Sequence, residues 1–362
     1  MTDELTIGVE LEYLVVDAAG YPSHQGADLA RRDEADAAGE LQPELIRCQV
    51  ETTTSVCGDA EEARVQLTEL RARANAQATA RGLRLIGSGT PVLAQPDWPR
   101  LTSGSRYDEI AEWFGAVAHT ANTCGCHVHV AIPDRATGVE VSNRIRPWLP
   151  VLLALSANSP FNEGMDTYYE SWRYILWQRW PTAGPPPLFV SLDHYESSLA
   201  ALLTVGAIVD RRNVYWDIRL SEHQPTLEFR VCDVTQTPAE AALLAGLIRA
   251  AVGAALDDLG GVSPHALPLP QEVLRANLWR AAREGLRGSC LHPVSGELVA
   301  MWQLVEDLLD WLRPALRAGG DLDFVEQQLA TIREHGGGAQ RQRASYEKTG
   351  LFSAVVDALA ES

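Results

Sequence analysis

Residues 5–16 read LTIGVELEYLVV, an apolar run that is interrupted by two glutamates, Glu10 and Glu12. The two-residue alternation in this segment is typical of a half-buried β-strand. Residues two positions apart on a strand project from the same face, so the two carboxylates are expected to lie side by side. Because neighbouring carboxylates repel each other and are costly to bury, this strand face predicts a cation, an arginine or solvent beside it.

Three later segments, residues 46–53, 126–132 and 226–234, repeat this arrangement. Their same-face pairs are Gln49 with Glu51, His127 with His129, and Glu228 with Arg230, and Glu44 precedes Glu51 by one heptad. Each pair alone is also explained by a solvated strand face, by core histidines or by a structural ion pair. Together they predict one polar sheet surface, formed by Glu10, Glu12, Glu51, His127 and Glu228. Such a ligand set suits hard divalent cations such as Mg²⁺.

Helical periodicity marks six segments, residues 59–82, 105–120, 141–157, 238–259, 271–285 and 297–318. Thr237 and Pro238 are typical of a helix N-cap that is followed by proline at the first helical position. The strands are spread among the helices without the regular alternation of a doubly wound or barrel fold. We therefore predict an α+β fold, in which helices back a mostly antiparallel sheet.

The chain of 362 residues carries 30 basic and 48 acidic residues, a formal net charge of −18. So acidic a surface repels phosphate backbones and anionic headgroups, and we expect neither nucleic acid nor a membrane as a partner. The acidic N-terminus does not match a signal peptide. No uninterrupted apolar run reaches the ~18 residues that a membrane span needs. Because the six cysteines are not spaced as a disulfide framework, we expect a reduced cytoplasmic protein.

Other functional classes are tested by the motifs that they require. The chain has a single lysine, Lys348, and lacks the Gly-x-x-x-x-Gly-Lys loop of P-loop proteins. It also lacks the Gly-x-Ser-x-Gly elbow of serine hydrolases. The strongest rival class is a divalent-metal amidohydrolase, in which His-x-His at a strand end is common, but its barrel needs eight strand–helix units. A non-catalytic nucleotide-binding protein is the second alternative.

An ordered series of motifs extends from residue 7 to residue 343. The series comprises IGVELEY at 7–13, QVE at 49–51, GTP at 89–91, RY at 106–107, GCHVHV at 125–130, ALSANSP at 154–160, WDIR at 216–219, LEFR at 227–230 with Asp233, and GAQRQR at 338–343. This series resembles the carboxylate–amine ligase family, the glutamate–cysteine ligase type 2 group. The motifs follow one order along most of the chain, which disfavours a chance match.

The resemblance implies a glutamine-synthetase-like catalytic fold, in which a curved sheet forms a funnel that holds ATP and several Mg²⁺ ions. Residues 1–362 would form a single catalytic domain. The implied reaction is ATP-dependent amide formation between a small carboxylate, typically the side chain of glutamate, and an amine, typically cysteine. An acyl phosphate would be the intermediate.

Residue roles are carried over from the family position by position. The implied metal ligands are Glu10, Glu12, Glu44, Glu51, His127 and Glu228. The implied catalytic residues are Glu51, Arg230 and Arg173, where Arg230 faces a phosphate or the acceptor carboxylate. Arg173 is the candidate for binding the α-carboxylate of an amino acid through its bidentate guanidinium. Arg230, Arg341 and Arg343 would contact the nucleotide.

One departure from the family pattern bears on the substrates. After Asp166 and Thr167 the family commonly has small residues around an aromatic one, whereas this chain has Tyr168, Tyr169 and Glu170. The change adds aromatic bulk and an acid beside the expected substrate loop. The identities of the acid and the amine therefore stay open, as does the oligomeric state, for which a homodimer is one expectation.

Overall fold

The alternating segments predict four strands of the principal sheet to within a few residues, whereas its three short strands at residues 40–43, 84–86 and 218–220 were not predicted. The computed structural model of the chain describes residues 5–30, 40–94, 99–259 and 268–361. Its strands are β1 (Ile7–Val16), β2 (Glu40–Pro43), β3 (Gln49–Thr53), β4 (Arg84–Ile86), β5 (Gly125–Ala131), β6 (Phe161–Asn162), β7 (Met165–Asp166), β8 (Ile218–Leu220), β9 (Thr226–Asp233), β10 (Ser289–Leu291) and β11 (Leu298–Ala300). The main sheet has the order β2-β3-β1-β5-β9-β8, with β4 also paired to β1, and all of these pairs are antiparallel. The prediction of a mostly antiparallel sheet is confirmed.

Two long helices, α2 (Ala60–Thr79) and α9 (Pro238–Asp257), pack on the apolar face of this sheet. The helices of the described residues are α1 (Gly26–Ala30), α2 (Ala60–Thr79), α3 (Ser105–Phe114), α4 (Ala116–His119), α5 (Arg135–Ile145), α6 (Leu149–Ser156), α7 (Trp172–Trp177), α8 (Leu192–Thr204), α9 (Pro238–Asp257), α10 (Gln271–Glu284), α11 (Met301–Gly319), α12 (Leu322–His335), α13 (Gly338–Thr349) and α14 (Phe352–Glu361). Val9, Leu11 and Tyr13 of β1 are completely buried in the core, and α2 and α9 contact this strand. Since Glu10 and Glu12 alternate with these residues, they project from the other face. The α+β class is therefore confirmed.

Helix α9 begins as the sequence predicts. The Thr237 hydroxyl oxygen accepts a hydrogen bond from the backbone N–H of Glu240, the Glu240 carboxylate accepts one from the backbone N–H of Thr237, and Pro238 occupies the first turn. In the described part of the chain, α9 is also the one helix long and apolar enough to cross a membrane, but most of it is buried inside the fold. Its apolar composition is therefore explained by packing on both sides.

Two predicted helices are divided in the structure. The helix predicted over residues 105–120 is broken at Gly115, whose positive φ of 53° ends α3 and separates it from α4. The helix predicted over residues 141–157 begins earlier, at Arg135 after the N-cap Asp134. It then passes through a 3₁₀ turn at Arg146–Trp148, where Pro147 lacks the N–H that a continuous helix would use, before α6 begins. Both single-helix predictions were therefore wrong at these points.

The start of the helix predicted over residues 297–318 was also wrong. Leu298–Ala300 form strand β11, which pairs with β10, and α11 begins only at Met301. The pairing partner lies close in the chain, and the cross-strand hydrogen bonds outweigh a weak helical pattern in this exposed segment. The same analysis did not predict α8 and α12, in which few residues are buried.

Candidate active site

A cavity of about 390 Å³ lies over the polar face of the main sheet. Its lining includes the predicted residues Glu10, Glu12, Glu44, Glu51, His127, Glu228 and Arg230. It also includes residues that the sequence analysis did not propose as site residues, namely Arg106, Tyr107, Trp177, Arg212, Tyr215 and Arg219. The structure therefore brings these seven predicted residues together, although they come from four strands and one loop.

Strand register explains this convergence. Glu12 of β1 lies directly opposite Glu51 of β3, and Glu10 lies opposite His127 of β5. On the other side of β5, His129 lies opposite Glu228 of β9. Directly opposite residues project from the same face of an antiparallel pair, so these registers place all six side chains over one surface.

The acidic side chains and histidines form three overlapping groups. These are Glu10 with Glu51 and His127, Glu10 with His129 and Glu228, and Glu12 with Glu44 and Glu51. In each group the three potential ligand atoms lie within 4.8 Å of one another. Groups of this size suit a cation that takes carboxylate oxygens together with an occasional imidazole.

Glu10 is held between the two histidines. Its Oε2 lies 3.1 Å from Nδ1 of His127, and its Oε1 lies 3.3 Å from Nε2 of His129. Burial by itself would raise the pKa of Glu10, but the hydrogen bonds with His127 and His129 outweigh burial and lower it. Burial and the positive charge of Arg230 lower the pKa of His127 to about 4. His127 is therefore neutral near pH 7, the form in which imidazole binds a metal.

Glu12, Glu44 and Glu51 form the most crowded anionic group. Burial and the charge of Glu44 raise the pKa of Glu12 to about 8. Burial and the neighbouring carboxylates raise the pKa of Glu51 well above its usual range, and burial raises that of Glu44. For Glu12, the charge of Arg173 and a hydrogen bond of 2.6 Å from the backbone N–H of Gly125 offset only part of the rise in pKa. The group is therefore short of positive charge.

Glu228 has the opposite environment, because two arginines neutralise it. Nε and Nη2 of Arg219 donate to its two carboxylate oxygens over 2.6 and 3.0 Å, and Nη1 of Arg230 donates to Oε1. Burial would raise the pKa of Glu228, but the charges of Arg219 and Arg230 hold it well below its usual range. Arg219 was not among the predicted site residues, although its β8 motif belongs to the series described above.

A rim of arginine and aromatic side chains borders the acidic floor of the cavity. Arg106 pairs with Asp210 over 2.7 Å, and Arg212 is half exposed with its guanidinium 3.8 Å from the same carboxylate. The rings of Trp177 and Tyr215 pack edge to face, with centroids 4.8 Å apart. Arg106 and Tyr107 belong to the motif series but were not assigned to the site, whereas the other members come from α7 and the loop before β8, which share no local pattern.

Three predicted residues lie elsewhere. Arg341 donates to Gln236 and Glu240, and Arg343 pairs with Asp166 and also donates to the backbone oxygen of Tyr169. Neither lines the cavity in the described part of the chain. Arg173 is buried beside Gly125, behind the cavity lining. The structure therefore does not bring Arg341 and Arg343 to the acidic floor.

The donor set fits a hard divalent cation. Carboxylate oxygens dominate it, and the carboxylates of Glu12, Glu44 and Glu51 are close together and short of positive charge. Nε2 of His127 is buried, makes no hydrogen bond with any described residue and lies 3.8 Å from Oε1 of Glu12. A buried imidazole nitrogen without a partner is costly, and a bound cation would satisfy it.

Comparison with known proteins gives concordant results for sequence and for fold. The family model described as glutamate-cysteine ligase family 2 matches residues 6–358. A Rhodococcus jostii protein, provisionally named glutamate–cysteine ligase 2-1, is 46% identical over 98% of this chain and 96% of its own length. A Nocardia farcinica protein with the same provisional name is 44% identical, over 98% of this chain and 92% of its own length.

Two solved structures share the fold at much lower sequence identity. The glutamate–cysteine ligase of Francisella tularensis, solved in complex with AMP, matches 99% of this chain and 88% of its own with a TM-score of 0.72 at 14% identity. A bifunctional glutathione synthetase from Pasteurella multocida matches 99% of this chain and 52% of its own with a TM-score of 0.69 at 14% identity. At this identity the likeness concerns the fold.

Proposed function

Because the chain belongs to glutamate-cysteine ligase family 2, we propose that it is an ATP-dependent ligase that joins a carboxylate to an amine as an amide. The acid is glutamate-like, and the amine is cysteine or another small amino compound. Residues 1–362 act as one catalytic domain in the cytoplasm. The observation that carries the proposal is the convergence of Glu10, Glu12, Glu51 and Glu228 on one cavity with two histidines and Arg230.

The acidic floor is the proposed site for magnesium. Glu10, Glu12, Glu44, Glu51, His127 and Glu228 would hold the ions, because their ligand atoms already lie in overlapping groups. When bound, Mg²⁺ supplies positive charge that neutralises the phosphates of ATP. Glu228 has a second task in this arrangement, since its carboxylate holds the guanidinium groups of Arg219 and Arg230 at the edge of the site.

The proposed reaction has two steps. A carboxylate oxygen of the acid attacks the γ-phosphorus of ATP, the bond to the β,γ-bridging oxygen breaks, and ADP leaves with an acyl phosphate formed. The amine nitrogen then attacks the acyl carbon, phosphate leaves with the electrons of the C–O bond, and the amine loses a proton. Arg230, nearly buried and fixed by Glu228, is positioned to stabilise the negative charge of the transferring phosphoryl group.

Two further predictions concern other arginines. Arg341 and Arg343 stay predicted nucleotide contacts, which a raised KM for ATP in Arg341→Met and Arg343→Met would support. Unchanged KM values with lower melting temperatures would instead assign both side chains to their ion pairs with Glu240 and Asp166.

The two alternative functions make different demands. An amidohydrolase barrel requires eight strand–helix units, whereas the main sheet of the described residues has seven strands that pair antiparallel, so the fold disfavours that class. A non-catalytic nucleotide-binding protein would have the same fold and would bind ATP without turnover.

An ADP-release screen over pairs of amino acids and amines, with mass detection of the condensed product, tests the proposal. We expect one pair to give ADP, phosphate and an amide in equal amounts, and we expect no ADP when either the acid or the amine is omitted. ATP-independent cleavage of an amide would support the hydrolase. Binding of ATP without ADP release on any pair would support the non-catalytic alternative.

A further inference from the structure

Arg173, on helix α7, is a fully buried arginine without an ion pair to any described carboxylate. Its exposed fraction is 2%. Nη2 donates to the backbone oxygen of Arg230 over 3.4 Å, Nε has no hydrogen-bond partner among the described residues, and the guanidinium lies 5.7 Å from the ring centroid of Trp177. Its charge offsets part of the effect of burial on the pKa values of Glu12, Asp217 and Asp233, so carboxyls from several elements stabilise the cation without a direct ion pair.

The guanidinium occupies a space that a side chain at position 125 would otherwise fill. Gly125, His127 and His129 alternate along β5 and share the cavity face. A Cβ atom on Gly125 would collide with Nη2 of Arg173 and would lie 3.1 Å from Nε2 of His127. The backbone N–H of the same glycine donates to Glu12 over 2.6 Å. Arg173 therefore packs against the point where Glu12 and His127 meet.

Arg173 also contacts an irregularity in the sheet. The pairing of β5 with β9 shifts register between Cys126, opposite Cys232, and Val128, opposite Phe229. One residue of β5, His127, is therefore matched by two residues of β9, Arg230 and Val231. Such a bulge disrupts the ladder and redirects side chains. The carbonyl that accepts the bond from Arg173 belongs to Arg230, at this bulge.

We propose that Arg173 is a positioning residue, whose guanidinium fills the place left open by Gly125 and holds the β9 bulge that directs His127 and Arg230 into the cavity. It does not contact a substrate in this assignment, in contrast to the carboxylate-binding role expected from sequence. This packing also requires glycine at position 125, because a side chain there would displace the guanidinium. The kinetic part of the inference rests on the proposed ligase function.

The test compares Arg173→Met, Arg173→Lys, Gly125→Ala and the Arg173→Met/Gly125→Ala double variant. We expect kcat to fall about 100-fold in Arg173→Met and Gly125→Ala, because a shift of about 1 Å in catalytic groups costs this much. The KM values for the acid and the amine should change by less than about threefold. The lysine variant should retain part of the activity, and the double variant should be no slower than the slower single variant, because both changes disturb one contact.

Hydrogen exchange supplies a measurement that does not depend on turnover. The amides of residues 126–129 and 229–232 should exchange faster in Arg173→Met and Gly125→Ala than in the wild type, and equally in the two variants. Arg146→Met is the matched control, because Arg146 is also fully buried and donates to the backbone oxygens of Pro186 and Leu269, away from the cavity. Arg146→Met should lower the melting temperature without changing kcat or the hydrogen exchange at the bulge. If Arg146→Met does not fold, Arg146→Lys serves as the control.

Three results would overturn the assignment. The first is a KM for one substrate that rises tenfold or more in Arg173→Met while kcat is unchanged. This rise corresponds to about 1.4 kcal/mol of lost binding and would mean that Arg173 contacts that substrate directly. The second is a loss of kcat in the double variant that equals the product of the two single losses, which would mean that Arg173 and Gly125 act independently. The third is unchanged hydrogen exchange at residues 126–129 and 229–232, which would mean that Arg173 does not hold the bulge. If the wild type turns over no acid–amine pair, the ligase proposal fails, while the exchange comparison still decides whether Arg173 holds the bulge.

Discussion

Glu12 and Glu51 lie directly opposite each other on β1 and β3, and both residues are buried. Like charges in directly opposite positions destabilise a sheet, and burial increases the effect. Glu44 adds a third carboxylate to the same group. The sheet therefore carries a local electrostatic cost that a cation in the cavity would relieve, and this relationship motivates the first two predictions.

Replacing Glu51 by glutamine should separate activity from stability. We expect Glu51→Gln to lower kcat by about 100-fold or more, the loss that follows removal of one preorganised electrostatic group. Its melting temperature in EDTA should equal or exceed that of the wild type, because the substitution removes one of three repelling carboxylates. ADP release and differential scanning calorimetry check the two effects. A large fall in melting temperature would show that Glu51 stabilises the fold instead.

Divalent cations should stabilise the folded protein. A ligand that binds only the native state raises stability by about 2.7 kcal/mol at 100 times its Kd, so MgCl₂ should raise the melting temperature measured in EDTA-treated protein. The rise should be much smaller in Glu51→Gln. Equal concentrations of NaCl, matched for ionic strength, provide the control. An identical rise in both proteins would mean that the cation binds away from Glu51.

Glu228 should behave differently from Glu51, because it neutralises two arginines. Removing one partner of a buried ion pair leaves an uncompensated charge, and we expect Glu228→Gln to cost about 3 kcal/mol of unfolding free energy as well as activity. The Arg219→Met/Glu228→Gln double variant should be less destabilised than the two single losses predict. Urea denaturation checks both expectations. Additive losses would mean that Arg219 and Glu228 do not stabilise each other.

The stability of the fold should depend on pH through Asp217. Burial raises the pKa of this carboxyl, which accepts a hydrogen bond from Tyr174, to about 7. Because the folded-state pKa lies above the unfolded value, the native protein binds this proton more tightly than the unfolded chain does. The resulting stabilisation is fully present below about pH 4 and is lost by about pH 7. Asp217→Asn removes this dependence.

Urea denaturation of wild type and Asp217→Asn between pH 4 and pH 8 tests this prediction. The stability of the variant relative to the wild type should increase by about 1 kcal/mol per pH unit up to about pH 7 and then level off, because one pKa unit corresponds to 1.36 kcal/mol. A difference that is constant over the whole range would show that Asp217 is ionised in the native protein.

The sequence by itself determined which side chains share a face of each strand. Alternation has a period of two along the backbone, so the pairs Glu10 with Glu12 and His127 with His129 could be placed on one side from local pattern alone. The capping residues Thr237 and Pro238 were equally readable, because a cap is formed by residues within one helical turn.

Tertiary structure decided how these faces meet. The order β3-β1-β5-β9 and its registers place Glu51, Glu12, His127 and Glu228 over one cavity, and a slip of one residue would have turned a whole strand away. Tertiary structure also decided the partners of two arginines: Arg219 pairs with Glu228 at the cavity, and Arg341 pairs with Glu240 outside it. An arginine carries the same charge at any position in the chain, and its partner is chosen by the packing of segments distant in sequence, which no local pattern encodes.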